Sequence, residues 1–434
     1  MNKKHRRPFQ SMTSKNWQNL ALAAALAFSI ILIGFFLMIT NIQDIDFCGH
    51  LAFDYCAFWS GGHIINQQSI ADIYDLDLLL QFQKNIYPQS NNSNTSFRAV
   101  EIPYLPIFML PFQLLSLLDL PYSYIVWTLI NLIGFISYLR FFTKEVADCS
   151  LPFRYVLLIM LSVPVFLNLI LGQLNIWLGI CAGEFIRAIL SDKPTKAGVW
   201  LGGWLLKPQM LVLIIPFLLM HRSFKVIKGF ILSTFAVLMV SFALIGANGF
   251  LNLKNILLES AGGGATSNPQ LMMNWRMMGW HIGSLTSSTI EWIIIIVGSV
   301  VTVYLTIFIF RRRMTANSST IAFLGIFAAT GLVTWHSHFS MSIVLIPLLI
   351  LLIMKNHYNK NILLVWVLMP ILVKFIFYIS ILFISEYGQL GEFLEGLRGF
   401  ISNLIIFVWA IIAYPRAENE TTEEILPMKD ISSI

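Results

Sequence analysis

Five ionisable side chains draw attention in a chain of which only 12% is charged. The first lies in Asn41 to Asp75, NIQDIDFCGHLAFDYCAFWSGGHIINQQSIADIYD, which carries Asp44, Asp46 and Asp54 among aromatic and small residues just after an apolar run. A carboxylate close to lipid is costly unless it faces water or a partner, so acids placed here are functional candidates. Asp54 is the preferred one, because FDYCAFWSGG reads as a helix on which Tyr55, Phe58, Trp59 and Gly62 can pack one face. Capping or a solvated helix face is the simpler reading of Asp54, and Asp44 and Asp46 are explained by the point where the chain meets water.

The other four are cationic or can become so. Lys207 stands in WLLKPQMLVLIIP with apolar residues on both sides. A lone ammonium there calls for a phosphate or carboxylate partner, unless it snorkels from a helix end. Pro208 breaks the helix and frees backbone groups that are tolerated beside a cavity, which brings Gln209 with it. Arg276 in NWRMM, next to Asn274 and Trp275, suits bidentate phosphate contact or interfacial anchoring. His336 and His338 flank Ser337 after Trp335, at a spacing that allows hydrogen bonds to phosphate or hydroxyl, or acid–base work. No CxxC or HExxH partner accompanies them, so no metal and no cofactor is expected. Gln173 and Asn175 form a polar break between apolar runs that suits sugar hydroxyls or a plain interhelical turn.

The elements that must position these groups are membrane helices. A chain of 434 residues with 57% hydrophobic and 14% aromatic content, and a mean hydropathy of +0.74, is too apolar for a soluble globule. The net charge of +6 is dispersed in short clusters between apolar runs, so it signals topology rather than nucleic-acid binding. Cys48, Cys56, Cys149 and Cys181 lack metal-ligand spacing, and spacing alone leaves a Cys48–Cys56 disulfide open. The pattern predicts an all-α polytopic protein of about twelve transmembrane helices, near 20–40, 121–142, 154–171, 173–190, 197–206, 209–220, 226–246, 291–310, 319–335, 340–354, 361–384 and 397–414. The first, behind a basic N-terminus, reads as a retained signal anchor. Residues 102–118, interrupted by prolines 103, 106 and 111, read as a re-entrant or interface-lying segment.

With the N-terminus inside, the clusters around Arg140, Lys193, Lys225, Arg312, Lys355 and Arg416 share the cytoplasmic side. The chain then divides into a cytoplasmic N-terminus (1–19), a transmembrane domain (20–414) with long extracytoplasmic loops at about 41–104 and 248–288, and a disordered cytoplasmic tail (415–434). The first loop holds a second amphipathic piece around Ile73 to Ile86 and a polar turn, PQSNNSNTS, with two glycosylation-type triplets. All the polar islands named above fall on the outer face. Walker A, GxGxxG, GxSxG and a cytoplasmic DxD cluster are absent from the sequence, which argues against an activated nucleotide donor.

Taken in order, Asp54-Tyr55, Gly62, Ala71-Asp72-Ile73-Tyr74-Asp75, Pro103-Tyr104-Leu105-Pro106, Gly172-Gln173-Leu174-Asn175, Gly198 to Gly203 with Lys207-Pro208-Gln209, Asn274-Trp275-Arg276 and Trp335-His336-Ser337-His338 resemble the signposts of glycosyltransferase family 87. The resemblance implies a GT-C type membrane enzyme in a bacterial inner (plasma) membrane. It would use a polyprenyl-phosphate sugar donor, mannose by family precedent, and a lipid or glycan acceptor on the extracytoplasmic face. It implies inverting transfer with Asp54 as base, Lys207, Arg276, His336 and His338 around the donor phosphate, and Tyr55, Gln173, Asn175, Gln209, Asn274 and Trp335 as substrate contacts. A transporter or flippase of an anionic substrate is the alternative, since a broken helix with a buried lysine suits that too.

Overall fold

The computed structural model describes residues 47–49, 51–84, 86–87, 99–262, 268–311, 316–355, 361–383 and 388–420. The expected first span at 20–40, Asp44, Asp46, the PQSNNSNTS turn and the tail beyond 420 lie outside the described residues. Among those described, every regular element is helical.

The first outer loop is a small helical assembly. Helix α1 (Phe53–Gln67) is followed by a 3-10 turn, Ile70–Tyr74, and by α2 (Leu76–Gln83). Ser69 and Asp72 form a capping box on the turn, and Asp75 accepts from Asp77 N and Leu78 N to start α2. The acids of the Ala71–Asp75 motif are therefore helix caps. After residue 99 come a 3-10 turn, Pro106–Met109, and α3 (Leu110–Leu115). Together these are shorter than a single straight bilayer crossing needs.

The bundle then runs through α4 (Leu120–Ala147), α5 (Phe153–Met160), α6 (Val163–Leu171), α7 (Asn175–Leu190), α8 (Pro194–Gly202), α9 (Ile214–Met220) and α10 (Phe224–Gly262), the last interrupted at Gly246. It continues with α11 (Trp275–Leu285), α12 (Ser288–Phe310), α13 (Ala316–Val333), α14 (Ile346–Met354), α15 (Asn361–Phe383) and α16 (Gly388–Glu420). Helix α13 and the chain from Phe339 to Ile353 are almost wholly buried and form the centre. Helices α10 and α12 lie at the periphery, where Ile231, Phe235, Met239, Ile293, Val297 and Val300 are exposed. So much continuous apolar surface is the face of a membrane protein turned to lipid.

Length sets how many of the expected spans are full-length helices. Among the described residues four helices, α4, α10, α12 and α16, are long and apolar enough to cross a membrane, or five if the bent pair α5–α6 counts as one span. Of the other expected spans among the described residues, 173–190, 319–335 and 361–384 are single helices, and the rest are broken into shorter pieces. The 154–171 span bends by 60° between Met160 and Val163, where Pro164 restarts the helix in its first turn. The 340–354 span begins as a 3-10 turn, Phe339–Leu345, and becomes α-helical only at Ile346, with Pro347 in its first turn. Residues 415–420, expected as disordered tail, extend α16.

Helices α8 and α10 approach backbone to backbone. A β-carbon on Gly198 would stand 1.9 Å from Val226 O, and one on Gly229 would stand 2.1 Å from Thr195 O. Small residues in this spacing let two helices close without side chains between them. That seam fixes α8, and with it the turn that carries Lys207. Replacing Gly198 with Val is expected to cost roughly 1–3 kcal/mol by overpacking and to lower the melting temperature in detergent. Gly134, around whose β-position nothing lies within 4 Å, should accept Ala without loss in the same assay.

Candidate active site

Asp54 sits in the first turn of α1, on a helix start held from several directions. Ala52 takes a left-handed conformation at the N-cap, φ 58°, and donates its N–H to Ile170 O at 2.7 Å. Tyr55 is fully buried; its hydroxyl meets Ser123 Oγ at 2.5 Å, and its ring packs among Phe112, Tyr124 and Trp127. Tyr87 OH donates to Phe53 O at 2.6 Å. A disulfide between Cys48 and Cys56 closes the loop that contains Asp54, which settles the pairing that spacing left open. Below this start lies Gly172, which ends α6 at φ 69° and whose β-position would be 2.4 Å from Tyr55 Cβ. Glycine is required there both for the backbone conformation and for the approach.

The residue after that glycine reaches the carboxylate. Gln173 Nε2 donates to Asp54 Oδ2 at 2.8 Å. Its carbonyl oxygen accepts from Ser340 Oγ at 2.5 Å and from Asn175 Nδ2, and Asn175 Nδ2 also reaches Ser340 Oγ at 3.0 Å. Asn175 is in turn fixed by its N–H to Asn168 Oδ1 at 2.9 Å. Asn175 and Tyr55 therefore stand behind the site and do not line it.

Lys207 occupies the joint between two 3-10 turns, Gly203–Leu206 and Pro208–Leu211, where the backbone leaves helical geometry before proline. The side chain is 7% exposed. Asn274 joins two distant motifs. It caps α11 by accepting from Met277 N at 3.1 Å, while its amide donates to Thr334 O at 2.6 Å and to Trp335 O at 3.3 Å. Ser337, fully buried, donates to Gly331 O at 2.7 Å, and its carbonyl accepts from Met273 N at 3.0 Å. The serine thus anchors the segment inward, while His336 and His338 on either side meet ring to ring at 4.8 Å between centroids. Arg276 lies over the Trp335 ring at 4.1 Å and outside the cavity lining.

One cavity of about 770 Å³ gathers Asp54, Gln173, Lys207, Gln209, Trp335, His336 and His338 on its walls. Leu167, Leu171, Leu206, Leu257 and Leu271 supply an apolar side to the same space. Burial raises the Asp54 carboxyl above the ordinary carboxylate range, opposed by the Gln173 hydrogen bond and the Lys207 charge. Burial lowers Lys207 to about 8, opposed by Asp54. Burial, with Lys207 and Arg276 nearby, depresses His336 to about 4, and His338 is pushed down by burial, His336 and Lys207. At neutral pH both imidazoles are uncharged, so they can offer hydrogen bonds but no cationic attraction.

The cavity also contains residues that the sequence pattern did not single out. Tyr104 and Glu101 line it, as do Ser340, Glu395 and Arg398; Glu395 pairs with both Lys374 and Arg398. Lys374 inside an apolar run, and Glu395 with Arg398 one turn apart at the head of the last span, were the available signals. Tyr104 stands within the Pro103–Pro106 motif itself.

The family model for glycosyltransferase family 87 matches residues 103–335, more than half of the 434-residue chain. Asp54, His336 and His338 fall outside the matched range and enter through geometry. No curated protein and no solved structure matches the chain.

The Cys48–Cys56 bond has a direct test. Thiol labelling of the denatured, unreduced protein should modify two cysteines, Cys149 and Cys181, and four after reduction. Closing so short a loop contributes roughly 2–3 kcal/mol, so Cys48→Ser should lower the melting temperature and loosen the Asp54 turn to proteolysis.

Proposed function

The chain belongs to glycosyltransferase family 87, a family of membrane glycosyltransferases, and from that premise we propose that it transfers a sugar from a lipid-phosphate donor to an acceptor hydroxyl, with Asp54 as general base. The observation that carries this reading is the single cavity in which a carboxylate and a buried ammonium face a common space with an apolar wall. Those are the requirements of the reaction. Asp54 takes the proton of the acceptor hydroxyl as its oxygen attacks the anomeric carbon. The carbon–oxygen bond to phosphate breaks on the opposite side, the electron pair leaves with the phosphate, and the configuration inverts. Lys207 compensates the charge that builds on the leaving oxygen, and the uncharged His336 and His338 hydrogen-bond around it. Leu167, Leu171, Leu206, Leu257 and Leu271 suit the hydrocarbon of a polyprenyl chain better than they would a nucleotide. Gln209 and Trp335 face the sugar, and Arg276 holds Trp335. Mannose is the sugar that family precedent favours, with a lipid or glycan as acceptor.

Electrostatics link the two substrates. Before a donor binds, the Lys207 charge favours ionised Asp54. A donor phosphate that engages Lys207 withdraws that support and leaves the carboxylate more basic, when the acceptor must give up its proton.

The disulfide favours the extracytoplasmic side for this cavity, because such bonds persist in oxidising compartments. The basic clusters then lie on the cytoplasmic side with both termini, in an inner (plasma) membrane. The architecture is a GT-C type bundle of about twelve crossings, in which short and broken helices cross while neighbours shield their freed backbone groups.

With radiolabelled polyprenyl-phosphate mannose and a membrane-lipid extract as acceptor, Asp54→Asn should lower transfer about 100- to 10,000-fold without changing the melting temperature; full activity in that variant refutes the assignment. The pH profile should rise as Asp54 ionises and fall near pH 8 as Lys207 loses its proton. Lys207→Arg keeps its charge in alkali and should move that fall to higher pH, whereas an unmoved fall would remove Lys207 from the profile.

A further inference from the structure

The carboxamide of Gln173 has two ends of similar shape and opposite hydrogen-bonding sense. Which end meets Asp54 decides whether the carboxylate is supported or repelled. The ionised carboxylate favours the NH2 end, and the groups behind the amide decide how firmly that end is held toward it.

We propose that Ser340 is a positioning residue for the base, fixing with Asn175 the orientation of the Gln173 amide so that its NH2 group meets Asp54. Ser340 opens the 3-10 turn that follows the histidine segment, and its hydroxyl carries one proton. That proton goes to Gln173 Oε1 at 2.5 Å, because Asn175 Nδ2 already occupies the hydroxyl as a donor at 3.0 Å. Asn175 Nδ2 donates to the same Gln173 oxygen, and the Asn175 backbone is held by Asn168. Two donors thus converge on one end of the amide, which leaves Nε2 for Asp54 Oδ2 at 2.8 Å. A flipped amide would set its NH2 against the Asn175 donor and its oxygen against a carboxylate, and the Ser340 hydroxyl would have to turn its proton away from the amide. Ser340 and Asn175 are 1% and 0% exposed, so losing either bond leaves a buried polar group short of a partner.

The consequence falls on Asp54. A hydrogen bond from an amide favours the ionised carboxylate. The other groups facing Asp54 come from different elements: Lys207 from the turn after α8, and Tyr87 and Tyr104 from the outer loop. Glu101, His336, His338 and the Glu395–Arg398 pair stand around the same cavity. The Ser340 hydroxyl bonds to Gln173 and Asn175, so removing it acts on Asp54 through the amide relay.

The inference takes its importance from Asp54 as base, and its test does not depend on turnover. Infrared titration of the purified protein, with Asp54→Asn as the blank, isolates the protonated carboxyl band of Asp54. In Ser340→Ala the midpoint of that band should rise by about one pH unit, the scale of one lost charge-assisted hydrogen bond. Ser340→Thr, which keeps a hydroxyl, should restore the wild-type midpoint. Gln173→Met removes the donor outright and should raise the midpoint at least as far, and it serves as the second variant if Ser340→Ala does not fold. Unchanged midpoints overturn the relay. Transfer that survives Asp54→Asn removes the base assignment instead and leaves the relay as a fact about ionisation.

Discussion

A carboxylate held partly out of water must draw solvation from the protein, and the bond from Gln173 to Asp54 supplies part of it. The surrounding structure can be followed outward from it. Gly172 turns the chain so that Gln173 faces α1, and its lack of a side chain lets Tyr55 settle over the turn. Trp127 Nε1 donates to Gly172 O at 3.0 Å, and Tyr124 OH donates to Leu169 O at 2.9 Å, so α4 grips the C-terminal end of α6. Ala52 reaches Ile170 O from the other side. The start of α1 and the end of α6 are one mechanical unit, with the carboxylate at its centre.

Charge is sparse in this unit and distributed by burial. Asp54 and Lys207 support each other's ionised forms, while both histidines are held neutral by their surroundings. In the proposed reaction, a donor phosphate entering such a space meets the Lys207 ammonium backed by neutral donors. That arrangement suits an anion that is recognised without a tight permanent hold, as the proposed release of a phosphate product requires.

The types of the site residues were legible because they violate the apolar pattern around them. Asp54, Lys207 and the histidines are costly in an apolar bundle and conspicuous for that reason. Their division of labour was less legible. Tyr55, Asn175 and Asn274 share motifs with cavity residues but point into the scaffold, and one-dimensional spacing does not distinguish a side chain that faces a cavity from its neighbour that holds it. Ser340 gave no signal, since a serine beside an apolar run is ordinary until its partner 167 residues away is known. The helical class followed from composition, whereas span lengths did not. Prolines at 164 and 347 sit where apolar content continues, and hydropathy does not register the change from α to 3-10 geometry at Phe339. The Cys48–Cys56 bond depended on α1 bringing two turns of chain together, which spacing alone leaves undetermined.

The bonds that make the site span long stretches of chain: 119 residues between Asp54 and Gln173, and 167 between Gln173 and Ser340. Contacts of that range carry the largest loop-closure entropy and form late, after local helices and their neighbours have docked. The relay therefore closes only when the early, middle and late thirds of the protein have met. Competence for chemistry becomes a property of the finished chain, and a partly assembled bundle holds a carboxylate with no donor to meet it.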